Sequence, residues 1–215
     1  MQLPDAVGDI KTLIKLNVSS NKLKFLPASL GNLRGLVTLN CFNNQIRELP
    51  QELTNLSELE ELNLSLNRIT SLPRGMGSFN HLLTLDLSNN KLTELSPQVG
   101  LLATLKELYL SYNELSKLPG ELGRLANLMT LVCNYNQLTE VPSELGTLTS
   151  LERFELCQND IVWVAPDVGD IESLTKLDLS LNPLCDALDA VARQGSPALI
   201  TYLRSTQYKN LYAKR

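Results

Sequence analysis

Carboxylates, thiols, one imidazole and a set of tyrosines are the side chains here whose spacing invites a chemical reading. Glu58, Glu60 and Glu61 crowd three carboxylates together, and paired carboxylates are the usual general acid and base of hydrolysis. Glu60 and Glu61 are successive residues of a predicted strand, so they point to opposite faces and make a solvated acidic surface instead. A Ser/His or Cys/His nucleophile needs His81, the single histidine, which falls in a turn. Cys41, Cys133, Cys157 and Cys185 include no C-x-x-C pair, so with one imidazole no metal is expected. Neither a phosphate-cradling G-x-x-x-x-G-K-[ST] nor G-x-G-x-x-G occurs. No enzyme activity and no cofactor are expected. What remains is recognition chemistry, carried by Tyr109, Tyr112 and Tyr135.

These residues are positioned by a repeat. The string L-x-x-L-x-L-x-x-N-x-L-x-x-L-P-x-x-L-G-x-L recurs with a 23-residue period, and its Asn falls at Asn21, Asn44, Asn67, Asn90, Asn113, Asn136, Asn159 and Asn182. A fixed period of this length signals a solenoid in which each unit stacks on its neighbours. In each unit x-L-x-L alternates with period two, which predicts a short strand with leucines inward. Every strand enters from the same side, so the strands pair in parallel. The L-P-x-x-L-G-x-L half has apolar residues three apart and predicts a helical or 3-10 turn on the opposite side, with Pro tolerated at its start. Gly31, Gly77, Gly100, Gly123, Gly146 and Gly169 are read as permitting a tight reversal. The turn side is bulkier than a strand, so the coil curves with the sheet on the inside. The repeated Asn lies among leucines, so its amide must bond loop backbone in a ladder along the coil. Cys41 and Cys133 stand where other copies carry Val or Leu, and read as small buried hydrophobes.

Net charge is −4 over 215 residues, with no Lys/Arg block. Nucleic acid and anionic membranes are disfavoured partners. There is no run of about 18 apolar residues to span a bilayer and no recognisable signal peptide. The cysteines suggest no disulfide framework, which points to a reducing, cytoplasmic setting.

The repeat resembles the leucine-rich repeat, and its L-P-x-x-L-G-x-L ending is similar to the Ras-associated intracellular group. That group includes Ras-binding scaffolds, LAP-type scaffolds and Roco-protein repeat domains. The likeness covers roughly residues 3–204. It implies an α/β solenoid with a concave parallel sheet, and binding of a signalling protein, a small GTPase or its regulator, through that sheet. The alternative it implies is a recognition domain of a larger enzyme, such as a Roco-type GTPase or kinase.

On this reading residues 1–12 are a partial N-terminal repeat, 13–184 the eight-repeat solenoid, 185–206 a helical C-terminal cap and 207–215 a tail or linker. The half repeat without a polar cap predicts a fragment of a longer protein. In the cap, Asp186 is expected to start one helix, and Ser196-Pro197 a second with Ser as N-cap.

Function is sought on the outward strand positions. Stacking brings Tyr109, Tyr112, Val132 and Tyr135 together, because neighbouring strands lie about 4.8 Å apart. Glu107 and Glu155 flank them, with Arg153 beyond, and Phe42 and Leu66 extend the patch toward the N-terminus. Clustered tyrosines beside charges have the composition of an interface hot spot. Trp163 and Phe25 occupy equivalent positions off this face and are expected to pack.

Overall fold

A computed structural model describes residues 2–215. The alternating segments form strands β1 (Lys15–Asn17), β2 (Thr38–Asn40), β3 (Glu61–Asn63), β4 (Thr84–Asp86), β5 (Glu107–Tyr109) and β6 (Thr130–Val132). Further on come β7 (Glu140–Val141), β8 (Arg153–Glu155), β9 (Trp163–Val164) and β10 (Lys176–Asp178). Eight of them make one parallel sheet in the order β1-β2-β3-β4-β5-β6-β8-β10, while β7 and β9 form a separate pair on the return side. The register repeats with the sequence, Leu39 lying opposite Leu62 and Leu62 opposite Leu85. These inward leucines join one continuous buried core.

Each coil returns through a 3-10 turn, as at Ala28–Asn32, Gln51–Asn55 and Gly120–Arg124. Pro27, Pro50, Pro119 and Pro142 sit just before their turns in extended backbone. In the fourth coil Pro97 has moved inside the turn, and Ser96 takes over as cap by accepting from the Gln98 amide at 3.3 Å.

The turn glycines serve close approach, not reversal. Among the glycines only Gly75 and Gly195 have positive φ. A Cβ on Gly100 would meet the Glu121 backbone of the next turn, and one on Gly146 would come within 2.6 Å of the Asp167 Cβ. The second coil has Thr54 in this place. There the next turn shortens to Met76–Ser78, Gly75 swings to φ 85°, and side chains bridge the gap. Gln51 donates to the Arg74 carbonyl, Ser78 Oγ to the Thr54 carbonyl at 3.0 Å, and the Gly75 amide to Gln98 Oε1 at 2.6 Å.

The asparagine ladder is the polar spine. Asn44 Nδ2 donates to the carbonyls of Cys41, in its own coil, and Val18, in the previous one, both at 3.0 Å. Its Oδ1 accepts from the Leu23 amide at 3.0 Å. The same three bonds recur at Asn67, Asn90, Asn113, Asn136, Asn159 and Asn182.

Three helices close the C-terminal end: α1 (Asp186–Ala192), α2 (Ser196–Arg204) and α3 (Thr206–Tyr212). Residues 207–215, expected as a tail or linker, largely belong to α3. Tyr208 is fully buried there and its hydroxyl donates to the Val164 carbonyl at 2.7 Å. Its neighbours Tyr202 and Tyr212 pack on it, and Trp163 meets Tyr212 edge-on at 6.3 Å. Trp163 packs as expected, whereas Phe25, far from this cap, is 51% exposed. Asp186 does not cap α1 through its side chain, and Ser196 does not cap α2. Ser196 Oγ instead turns to β10, accepting from the Leu177 amide at 3.1 Å and donating to its carbonyl at 2.9 Å. No described helix is long and apolar enough to cross a membrane.

Candidate protein-binding surface

The outward residue just before the third strand leucine has a structural task in five coils. Asn17, Asn40, Asn63, Asp86 and Asp178 each turn Oδ1 back to the amide two residues on, at 2.9–3.0 Å. These are Asx-turns, which steer the chain out of the strand. In the fifth, sixth and seventh coils the position carries Tyr109, Val132 and Glu155, which cannot make that bond. In the sixth and seventh coils the cap is rerouted through neighbours: Ser111 Oγ accepts from the Asn134 amide at 3.1 Å, and Asn134 Oδ1 from the Cys157 amide at 2.7 Å. Three consecutive coils have thus released this column from its local role.

The residue before each ladder asparagine has left-handed backbone in every coil: Ser20, Asn43, Leu66, Asn89, Tyr112, Tyr135, Gln158 and Leu181, with φ from 53° to 57°. Asn and Gly tolerate this region, while a bulky side chain there costs about 1–2 kcal/mol. Tyr112 and Tyr135 are nonetheless 49% and 41% exposed, with rings stacked at a 4.3 Å centroid distance and 7° between planes. Interaction with the Tyr112 hydroxyl holds the Tyr135 phenol above its ordinary pKa.

The expected tyrosines fall in two separate depressions. One, of about 430 Å³, gathers Leu66, Asn89, Tyr112 and Tyr135, with the Lys91–Glu114 ion pair (3.0 Å) on its edge. The other, of about 290 Å³, lies on the sheet between Thr38, Asn40, Glu61, Asn63, Asp86 and Tyr109. Tyr109 donates to Glu107 Oε2 at 3.3 Å, and burial together with that carboxylate raises its phenol pKa. Val132, read from sequence as an outward member of the patch, is only 8% exposed, pairs with Tyr109 in the sheet and lines neither depression. Phe42 is half-buried and lines neither depression. Met129, 38% exposed, borders the same strands.

Glu155 and Arg153 are not free flanking charges. Glu155 is 6% exposed and binds Lys176, Arg153 (2.8 Å) and Asn134 Nδ2 (3.0 Å). Burial alone would raise its carboxyl pKa, but the bonds from Lys176, Asn134 and Arg153 outweigh it and hold it below the ordinary range. Burial pushes the Cys41 thiol up to about 12 and that of Cys133 higher still, so neither of these two is a reactive nucleophile. The roles of Asn134 and of the left-handed column went unread in the sequence. Asn or Ser before the ladder Asn in several copies was the available signal for the second, and Asn/Asp two residues before Ser for the Asx-turns.

A family model described as a leucine-rich repeat region matches residues 70–205, and a leucine-rich repeat model matches residues 12–33 and 58–79. The chain belongs to the leucine-rich repeat family. No curated protein matches it by sequence. Among solved structures it is similar to a leucine-rich repeat protein of Leptospira interrogans, at 30% identity and TM-score 0.70, over 92% of this chain and 56% of that one. It is also similar to the ectodomain of the Arabidopsis thaliana membrane receptor kinase GASSHO1/SCHENGEN3, solved with CASPARIAN STRIP INTEGRITY FACTOR 2, at 27% identity and TM-score 0.77 over 84% of this chain and 23% of that one. The Arabidopsis receptor kinase HAESA, solved with the peptide hormone IDA and the co-receptor SERK1, gives 29% and 0.76 over 85% and 32%. This leucine-rich repeat chain therefore spans between about a quarter and a little over half of the length of these structures.

Proposed function

We propose that this leucine-rich repeat chain is a non-catalytic protein-binding module that grips a signalling protein over the sheet, with Tyr112 and Tyr135 as anchors and Tyr109 beside them. One observation carries the reading. Two large aromatic rings stand exposed on left-handed backbone, at a position where Asn43 and Asn89 fill the equivalent sites without strain. A bound partner would bury that stacked apolar area and recover the exposure cost. Leu66 extends the same depression, and the Lys91–Glu114 pair borders it.

The Ras-group resemblance makes a small GTPase or its regulator, met in the cytoplasm, the proposed partner. A recognition domain of a larger enzyme, such as a Roco-type GTPase or kinase, is the second reading, which rests on the same resemblance. Pull-down with the wild-type chain and with a Tyr109→Ala/Tyr112→Ala/Tyr135→Ala variant, quantified by mass spectrometry, tests the surface and the partner class. A partner enriched by the wild type and lost with the variant, the variant keeping its circular dichroism, is the expected outcome. Equal recovery by a folded variant contradicts the surface, and a partner that is no GTPase or regulator contradicts the assignment.

A further inference from the structure

The last strand of the sheet has an unfinished edge. In the seventh coil the Leu156 amide donates to the Asp178 carbonyl at 2.8 Å and the Gln158 amide to the Ser180 carbonyl at 2.9 Å. The equivalent donors in the eighth coil are the amides of Leu179 and Leu181, and neither has an acceptor among the described residues. Only one rung of this edge is filled, by Ser196 Oγ bridging the amide and carbonyl of Leu177. A hydroxyl there does what the backbone of a ninth strand would do. Past Ser196, helix α1 stands away from the sheet and leaves a groove of about 540 Å³ along Leu179 to Asn182. Leu184, Ala192 and Leu199 supply its apolar lining, and the Asp189–Arg193 ion pair (2.6 Å) stands at its rim. Leu181, 67% exposed, overhangs it.

We propose that this groove is a second recognition site, which takes an extended peptide segment as a short parallel strand added to β10. The hydrogen-bonding pattern names the occupant. Amides at Leu179 and Leu181 lie two residues apart, and in every earlier coil that pair is met by carbonyls two residues apart on an extended chain. Strand addition supplies affinity through backbone bonds, and a pocket beside the edge selects alternate side chains. The lining asks for an apolar side chain facing Leu184 and Leu199. The site lies at the end of the sheet and does not depend on the tyrosine surface.

The test uses amide-resolved NMR of the full chain with a blocked synthetic heptapeptide of sequence Tyr109–Leu115, which reproduces the backbone positions that the next coil would place here. At saturating peptide the Leu179 and Leu181 amides should shift downfield and their exchange should slow by at least about tenfold. Ala192→Trp, which fills the groove, should abolish both effects. Unchanged Leu179 and Leu181 signals at saturation overturn the proposal. So does protection confined to Ile14 and Lys15 on the opposite edge, or protection that grows with protein concentration without peptide, which assigns the groove to a second copy. Should Ala192→Trp fail to fold, the wild-type result decides alone.

Discussion

At the residue scale, two kinds of asparagine look alike in sequence and do different work. Asn44, Asn67, Asn90, Asn113 and Asn159 of the ladder are buried and satisfy three backbone groups each, so removing one strands buried donors and acceptors. Asn113→Ala leaves the Leu92 amide and the Leu87 and Leu110 carbonyls short of a partner. It is expected to cost about 2–3 kcal/mol in urea unfolding, whereas Asn17→Ala, at an exposed Asx-turn, should cost under about 1 kcal/mol. Equal losses would contradict the distinction. The ladder was legible because its period is fixed and its neighbours are apolar. The Asx-turns were not, because an outward Asn on a strand also has the composition of a binding position. Glu155 supplies a pH test. Its folded pKa lies below the ordinary value, so its contribution to stability is present above about pH 4.5 and lost as pH falls through the depressed value. The Tm difference between wild type and Glu155→Gln should be present at pH 7 and shrink below about pH 4.5; a pH-independent difference would count against the buried ion cluster.

At the element scale, the 3-10 turns stack so tightly that glycine is a packing residue. Gly100→Ala drives a Cβ into the Glu121 backbone and should cost about 1–3 kcal/mol, the range for overpacking. The same change at the open Gly35, where a Cβ meets nothing within 4 Å, should be near neutral in thermal unfolding. A matched effect at both would return the glycine to a backbone role. The sequence carried strands, turns and their order plainly, since period two and spacing three are strong signals. It did not carry why the glycine recurs, because the crowding comes from the next coil, 21 residues away in the case of Gly100 and Glu121. Nor did it carry Ser196, whose local context reads as an N-cap while its hydroxyl is taken by the sheet edge.

At the scale of the whole molecule, the two ends are unlike. The first layer is partly open, with Ile10 and Ile14 50% and 58% exposed, while α1–α3 cover the last. Truncation after Arg204 removes Tyr208 and its bond to Val164, uncovers the Trp163 side and deletes the contact of Lys209 with Asp170. Hydrogen exchange should then rise in β8–β10 and leave β2–β4 unchanged, because solenoid coils stabilise only their neighbours. Uniform loosening would show a single cooperative unit instead. The fold was legible because a solenoid is specified locally, coil by coil. The clustering of the tyrosines was legible from the strand spacing, but the buried state of Val132 and Glu155 was not, because it arises between coils. The central claim is that Tyr112 and Tyr135 are held there for a partner and not for the fold. It is tested most directly by Tyr112→Asn/Tyr135→Asn, which suits the left-handed backbone. The expected result is a Tm no lower than that of the wild type and a Kd for the partner recovered by the wild-type chain at least about 100-fold weaker; an unchanged Kd in the folded variant would show that the tyrosines are not held there for a partner.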